Sequence, residues 1–399
     1  MTDVTAPAGG AAIGVLGAGA MGTGIAQVAL AHGHPVVLGD AHAPALPRAR
    51  AQLEKGLRRD EEKGRLPAGG AEAALRRLTL ADLEADPAMA GLAGCALVVE
   101  AVVERLEVKQ AAFRALEAVV TDGCVLATNT SSLSIASIAA ACARPRRVLG
   151  VHFSNPAPVM PLVELVPGLA TDPGVVSEVR ALVAGWGKVP VVAADTPGFI
   201  VNRIARPYYG ESLRILEERL ASAATIDWAL RELGGFRMGP FELMDLIGND
   251  VNYAVTRSVW EAFFHDPRYR PSFTQRRLVE AGRLGRKTGQ GYYDYAGDAR
   301  PEPVRDESLG REILERVLAM LVNEAADAVY LGVATPQDVE LAMTKGVNYP
   351  KGLLAWGDEY GLDRIVARLE WLRAEYQEDR YRVSPLLRRT ARAGGRLAP

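Results

Sequence analysis

The 399 residues carry 46 Lys and Arg against 48 Asp and Glu, a formal net charge of −2, and 49% of them are hydrophobic. Such a chain fills two or three globular domains, and its near-neutral balance leaves no basic footprint for nucleic acid. With no run of 18 apolar residues, no secretory pattern at its start, and three cysteines (Cys95, Cys124 and Cys142) without metal-ligand spacing, it is expected to be cytoplasmic, with buried thiols, no disulfide and no metal.

The first element is the apolar run Ala12-Ile13-Gly14-Val15-Leu16, which reads as a short buried strand. Gly17, Gly19 and Gly22 follow in the order G-x-G-x-x-G, and 21–31, free of proline and rich in helix formers, reads as the helix behind them. Gly17 permits the tight turn, Gly19 lets backbone approach a pyrophosphate, and Gly22 lets helix and strand pack closely. Phosphates then sit on the helix N-terminus. A second strand, Pro35-Val36-Val37-Leu38, leads to Asp40, near the spacing at which an acid grips a ribose 2′-hydroxyl, and this favours NAD over NADP. The competing reading of Asp40 is a solvated loop acid. Next, Arg50, Lys55, Arg58, Arg59 and Lys63, mixed with Asp60, Glu61 and Glu62, read as a charged, solvated helix.

Further strands are expected at 96–99, 125–127, 148–151 and 162–166, with helices over 104–119 and 134–142. This alternation predicts an α/β Rossmann-type domain with a mostly parallel sheet over 1–195. Loops at the carboxyl ends of such strands converge on one crevice, and Asn129, Ser131 and His152 all fall there. His152 opens His152-Phe153-Ser154-Asn155-Pro156, and Glu164 follows on the next strand. An imidazole takes and returns a proton near neutrality, and a carboxylate beside it fixes its tautomer. The pair is the expected centre of the chemistry. The bland alternatives are a satisfied core histidine and, for Ser131, a cap on the helix that starts at Ser134. His32, His34, His42 and His265 have no such partner pattern and read as structural or exposed.

After Asp195-Thr196-Pro197-Gly198, helical periodicity takes over. A linker at 296–308, rich in proline, glycine and charge, divides the rest into two tandem all-α domains, 196–299 and 300–399. They repeat one another. With a shift of 113 positions, Glu211 meets Glu324, Gly239 meets Gly352, Asp245 meets Asp358, Gly248 meets Gly361 and Asp250 meets Asp363. Their lead-ins differ: Pro197-Gly198-Phe199-Ile200-Val201-Asn202-Arg203 precedes the first, Gly310-Arg311-Glu312-Ile313-Leu314-Glu315-Arg316 the second. One active site per chain is expected, with 328–361 packing on 214–248 as a pseudo-twofold pair. Asn202 reads as part of that site or as a polar helix residue at a domain junction. The end of the chain, with Arg380, Arg382, Arg388, Arg389, Arg392 and Arg396, reads as a solvated, partly frayed tail.

These motifs together resemble the 3-hydroxyacyl-CoA dehydrogenase family. The resemblance spans 13–295: the glycine turn with Met21, Glu100-Ala101-Val102-Val103-Glu104 through Lys109, Asn129-Thr130-Ser131-Ser132-Leu133, the His152 stretch with Glu164, and the Pro197 lead-in. Met238-Gly239-Pro240-Phe241-Glu242-Leu243 and Gly285-Arg286-Lys287-Thr288-Gly289 complete it, and the second copy resembles the extra C-terminal domain of longer bacterial members. The resemblance implies NAD-dependent oxidation of an L-3-hydroxyacyl-CoA to the 3-oxo thioester. His152 is then the base and Glu164 its orienting partner. Ser131 and Asn202 hold the reacting oxygen or the arrangement around it, and Gly17, Gly19, Met21, Gly22, Asp40, Glu104, Lys109 and Asn129 lie along the cofactor. An acyl-CoA partner is implied. Short members form homodimers through the helical domain, a surface that the second copy could occupy here. Ser154 stands where many members have phenylalanine and Pro161 where lysine is frequent, which leaves acyl-chain length open. A dehydrogenase of 3-hydroxyadipyl-CoA, one acting on a sugar acid, and a non-catalytic NAD-binding protein on the same fold are the alternatives.

Overall fold

A computed structural model describes residues 10–86, 89–297 and 301–399. The chain forms two compact units, Met1–Thr196 and Pro197–Pro399. The break falls one residue after the expected boundary at 195. The second expected boundary, at 299, lies outside the described residues, and both helical copies fall within the second unit.

The first unit is an eight-stranded sheet: β1 (Ile13–Leu16), β2 (Val36–Asp40), β3 (Leu78–Asp82), β4 (Leu97–Glu100), β5 (Val125–Thr128), β6 (Val148–Phe153), β7 (Leu162–Pro167) and β8 (Val189–Val192). The spatial order is β3-β2-β1-β4-β5-β6-β7-β8. Every pairing is parallel except β6 with β7. The connection between those two is a short loop, which returns the chain antiparallel, whereas a parallel neighbour needs a crossover. The crossovers include α1 (Ala20–Ala31), α2 (Ala45–Glu62), α3 (Gly70–Leu75), α4 (Leu106–Val119), α5 (Ile135–Ala139) and α6 (Pro173–Gly185). Strands β1, β4 and β5 are buried throughout, as continuous apolar runs in a sheet covered on both faces should be. Helix α2 buries Leu46, Ala49, Leu53 and Leu57 and turns its charges outward, as expected of it. Strand order reverses at β1, so the loops after β1 and β4 leave a crevice at the carboxyl edge.

The second unit is all helical. The first copy holds α7 (Val201–Ile204), α8 (Arg206–Glu217), α9 (Ala223–Trp228) running into a π turn (Ala229–Leu233), α10 (Pro240–Ile247), α11 (Asn249–Ala262) and α12 (Phe273–Glu280). The second holds α13 (Glu307–Tyr330), α14 (Pro336–Gly346), α15 (Leu353–Tyr360), α16 (Leu362–Tyr376) and α17 (Pro385–Arg392). The 113-residue shift lays α9 and its π turn on α14, and α10 on α15, end to end. Local chemistry repeats too. Asp227 accepts the amides of Phe241 and Glu242 at 2.9 and 3.0 Å, and Glu340 accepts those of Leu354 and Ala355 at 2.8 and 3.2 Å. A Cβ at Gly239 or Gly352 would collide with these carboxyl groups at 2.3 and 2.0 Å, which explains why the matched glycines precede α10 and α15.

The copies pack on each other by exchanging ionic partners. Glu211 in the first copy accepts from Arg316 (2.6 Å), Arg380 (3.0 Å) and Tyr381 (2.7 Å) of the second. Glu324 in the second accepts from Arg203 (2.6 Å), Arg268 (2.9 Å) and Tyr269 (2.6 Å) of the first. The two sets correspond residue for residue, so the contact is self-complementary in the way of a twofold interface. Burial alone would raise both carboxyls, but the arginines outweigh it and hold them below the usual range. The expected frayed tail is thereby corrected: Arg380 is buried on Glu211, Arg382 pairs with Asp266, and Arg388 and Arg389 lie on α17, which buries Leu387 and Ala391. Among the described residues no helix is long and apolar enough to cross a membrane.

Candidate active site

The glycine turn sits where β1 ends. Gly17 donates to Gly39 O at 2.7 Å and has φ +104°, and a Cβ there would lie 2.7 Å from Ala101 O. At Gly22 a Cβ would stand 1.8 Å from Gly17 O, so helix α1 starts directly under the turn. Gly19 faces open space. It caps α1 without a side-chain bond, and no acid lies in the first turn, so the helix N-terminus remains available to an anion. Asp40, at the end of β2, accepts Ala18 N at 2.6 Å and His42 N at 2.7 Å, which sets its carboxylate beside the turn. These residues fit a dinucleotide. Met21, in the first turn of α1, is partly buried and packs on the apolar core.

Strands β6 and β7 bring His152 and Glu164 directly opposite one another. Imidazole Nδ1 lies 2.8 Å from Glu164 Oε2, with the histidine side chain 14% exposed and the glutamate 1%. Asn129, just beyond β5, accepts Phe153 N at 2.8 Å through its side-chain oxygen, tying the two strand ends together beside His152. The next loop is organised by Glu104, which accepts the Thr130 hydroxyl (2.5 Å), Ser131 N (3.1 Å) and the Ser132 hydroxyl (2.9 Å). Burial pushes that carboxyl up, yet the Thr130 hydroxyl, Lys109 and Ser132 together hold it below the usual range.

Lys109 is buried and bonds Glu100 at 2.7 Å, with Glu104 at 3.3 Å. Its ammonium serves the protein framework. Glu100 is the hub that sequence reasoning left without a role: besides Lys109 it accepts Val102 N and the Thr128 hydroxyl, each at 2.7 Å. Only its place at the end of an apolar strand signalled it. Lys188 was also missed. It donates to Ala157 O (2.5 Å) and Met160 O (2.9 Å), bracing the loop after His152, and burial pushes it down to about 8. Asp195, which accepts the amides of Ile135 and Ala136, fastens the end of the first unit to α5. Asn202 belongs to the helical unit, half-buried on α7, where its carbonyl accepts from Arg206 at 2.8 Å.

A dinucleotide turn and a carboxylate-braced imidazole along one edge of a parallel sheet define a Rossmann-type dehydrogenase. A family model described as 3-hydroxyacyl-CoA dehydrogenase, NAD binding domain, matches residues 12–196. Its companion, the 3-hydroxyacyl-CoA dehydrogenase C-terminal domain, matches twice, at 198–295 and 313–397. The chain is 41% identical to a 3-hydroxyadipyl-CoA dehydrogenase of Escherichia coli (strain K12), over 95% of this chain and 97% of that protein. It is 42% identical to a 3-hydroxybutyryl-CoA dehydrogenase of Bradyrhizobium diazoefficiens, over 73% of this chain and 98% of that one. The crystal structure of a 3-hydroxybutyryl-CoA dehydrogenase from Escherichia coli K12 superposes with a TM-score of 0.90 at 40% identity, covering 96% of this chain and 98% of that chain. The chain belongs to the 3-hydroxyacyl-CoA dehydrogenase family.

Proposed function

We propose that the chain oxidises L-3-hydroxyacyl-CoA to 3-oxoacyl-CoA, reversibly, with His152 as general base. The observation that carries this is the 2.8 Å contact of His152 Nδ1 with a nearly fully buried Glu164. With Nδ1–H donating to that carboxylate, Nε2 is the nitrogen that takes the hydroxyl proton. Glu164, shielded from water, then stabilises the imidazolium more strongly than an exposed acid would. Gly17, Gly19, Gly22 and Asp40 would hold NAD, which would supply the acceptor for the hydride that leaves the same carbon. Ser131 hydrogen-bonds the reacting oxygen or holds the arrangement around it, and Asn202 is assigned to the reaction by its motif. Glu104 and Asn129 keep the Ser131 loop and the His152 strand in place, and Lys109 supports Glu104. In the reverse direction His152 returns the proton to the forming alcohol.

The test is NADH consumption with acetoacetyl-CoA. Turnover that collapses in His152→Ala supports the reading; NADH binding without turnover in the native chain would make it a non-catalytic NAD protein. The near full-length match to a 3-hydroxyadipyl-CoA dehydrogenase favours a second reading, in which the acyl group ends in a carboxylate. A series of thioesters of graded length, with and without that carboxylate, separates the two. The exchange of ionic partners between the helical copies supports reading 196–299 and 300–399 as duplicated domains that use within one chain the surface that joins two chains in short members. A homodimer then uses another face. The buried thiols of Cys95, Cys124 and Cys142, pushed up by burial to about 11, 12 and 11, suit the reducing cytoplasm.

A further inference from the structure

The seam between the last two long helices is built differently in the two copies. Helix α11 starts where the repeat places α16, and α12 covers α17 under a shift one residue shorter, the one that also lays Arg268 and Tyr269 on Arg380 and Tyr381. In the second copy an ion pair crosses the seam, from Glu370 of α16 to Arg388 of α17 at 2.7 Å. In the first copy Arg276 stands at the place of Arg388, but Arg257 stands at the place of Glu370. Two like charges cannot bridge. Each turns instead to an acid on its own helix, Arg257 to Glu261 at 3.5 Å and Arg276 to Glu280 at 2.7 Å, where the second copy has Ala374 and Arg392. The seam of the first copy therefore stands open as a cleft of about 570 Å³, within the size range of small-molecule sites. Arg270 lines it as a third cation and has no carboxylate partner among the described residues, while Glu280 is the one acid in the lining. Its aromatic wall is Tyr253, Trp260 and Phe273, where the second copy has Val366, Arg373 and Pro385. Phe273 is 72% exposed, an apolar ring left to water.

We propose that the cleft between α11 and α12 is a binding site for a small organic carboxylate with an apolar or aromatic body. The ligand's carboxylate takes the place that Glu370 fills in the second copy, between Arg257 and Arg276 and beside Arg270, where charge-assisted hydrogen bonds are open to it. Its body covers Phe273 and lies against Tyr253 and Trp260, which withdraws apolar surface from water. None of these residues is assigned to the dehydrogenase reaction, so the site stands or falls apart from that reading.

The experiment titrates the full chain with 3-phenylpropionate, 3-phenylpropanol and acetate at low ionic strength, read by calorimetry and tryptophan fluorescence. The native chain is compared with Arg257→Glu, Arg276→Gln and Arg388→Gln. The native chain should bind 3-phenylpropionate at least about tenfold more tightly than either the alcohol or acetate, because a hydrogen bond to a charged group and the burial of an apolar body each contribute that much. Arg257→Glu gives the first copy the ion pair of the second. It should abolish binding and leave the thermal midpoint at or above the native one. Arg276→Gln should weaken binding by about tenfold or more, whereas Arg388→Gln, in the second copy, should leave it unchanged. No response to the acid at millimolar concentration overturns the proposal. So does acetate binding as tightly as the acid, which marks an adventitious ion only, or the alcohol binding as tightly, which leaves the arginines without a role. Binding that survives in Arg257→Glu lies at another site and overturns it as well. Should Arg257→Glu fail to fold, Arg276→Gln carries the test: weakened binding supports the site, and native affinity overturns it.

Discussion

The two units bury charge to different ends. In the dinucleotide unit two pairs at the carboxyl edge of the sheet keep one partner within reach of solvent, although Lys109 also bonds an enclosed Glu100: His152 is 14% exposed over a sealed Glu164, and Glu104 39% exposed beside a sealed Lys109. In the helical unit Glu211 and Glu324 are wholly enclosed, and the arginines that hold them are at most 3% exposed. A pair that reaches solvent can exchange a proton with a ligand. An enclosed pair stabilises packing only while both members are present, because a charge left alone in the interior is costly.

The largest effect expected from this contrast is on turnover. His152→Ala should lower kcat by ~10²- to 10⁴-fold while thermal stability and NADH affinity stay near native; a rate near native would break the contrast at its chemical end. At the structural end, Glu211→Gln should cost about 3–5 kcal/mol, a fall in thermal midpoint on the order of 10 °C, with kcat unchanged. A loss under about 1 kcal/mol in a denaturant titration would mean that the cluster is not what joins the copies. Glu164→Gln should be milder than His152→Ala, about ten- to a hundredfold in kcat, because the amide still accepts a hydrogen bond from Nδ1–H but does not balance imidazolium charge; a loss as large as that of His152→Ala would make the charge, and not the orientation, the whole of its role.

The smallest effects lie in the pH dependence of stability. Glu211 and Glu324 are held below their ordinary value of 4.5. Their stabilisation is therefore complete above about pH 4.5 and is lost as pH falls through the lower folded values, because the unfolded chain binds the proton first on acidification. Glu211→Gln should flatten that acid slope, and an unchanged slope would locate acid sensitivity elsewhere. Asp227 works the opposite way. Burial pushes it up to about 7 despite bonds from Tyr293, Phe241 and Glu242, so the folded state holds its proton between the ordinary 3.8 and about 7, and its contribution fades as pH rises through that window. Stability measured from pH 4 to 7 should decline less in Asp227→Asn than in the native chain.

What was readable in the chain was what short segments carry. The glycine turn, the apolar strands, Asp40 and the helical repeat stand in the sequence because turn chemistry and periodicity act over a few residues, and the repeat is the same local pattern written twice. His152 and Glu164 were readable for a related reason: a single antiparallel return lays one opposite the other. The arginine-rich end was misread because its composition resembles that of a solvated tail, and nothing near Arg380 in the chain reveals Glu211.

The sequence alone thus determined the fold class, the dinucleotide turn and the braced imidazole. Only the tertiary structure decided that Lys109 is a buried strut on Glu100, that Arg380 near the end of the chain is interior, and that each helical copy holds the other's glutamate. Those outcomes depend on which charges are withdrawn from water together, and partners more than a hundred positions apart, such as Glu211 with Arg380, meet only when the chain has closed around them.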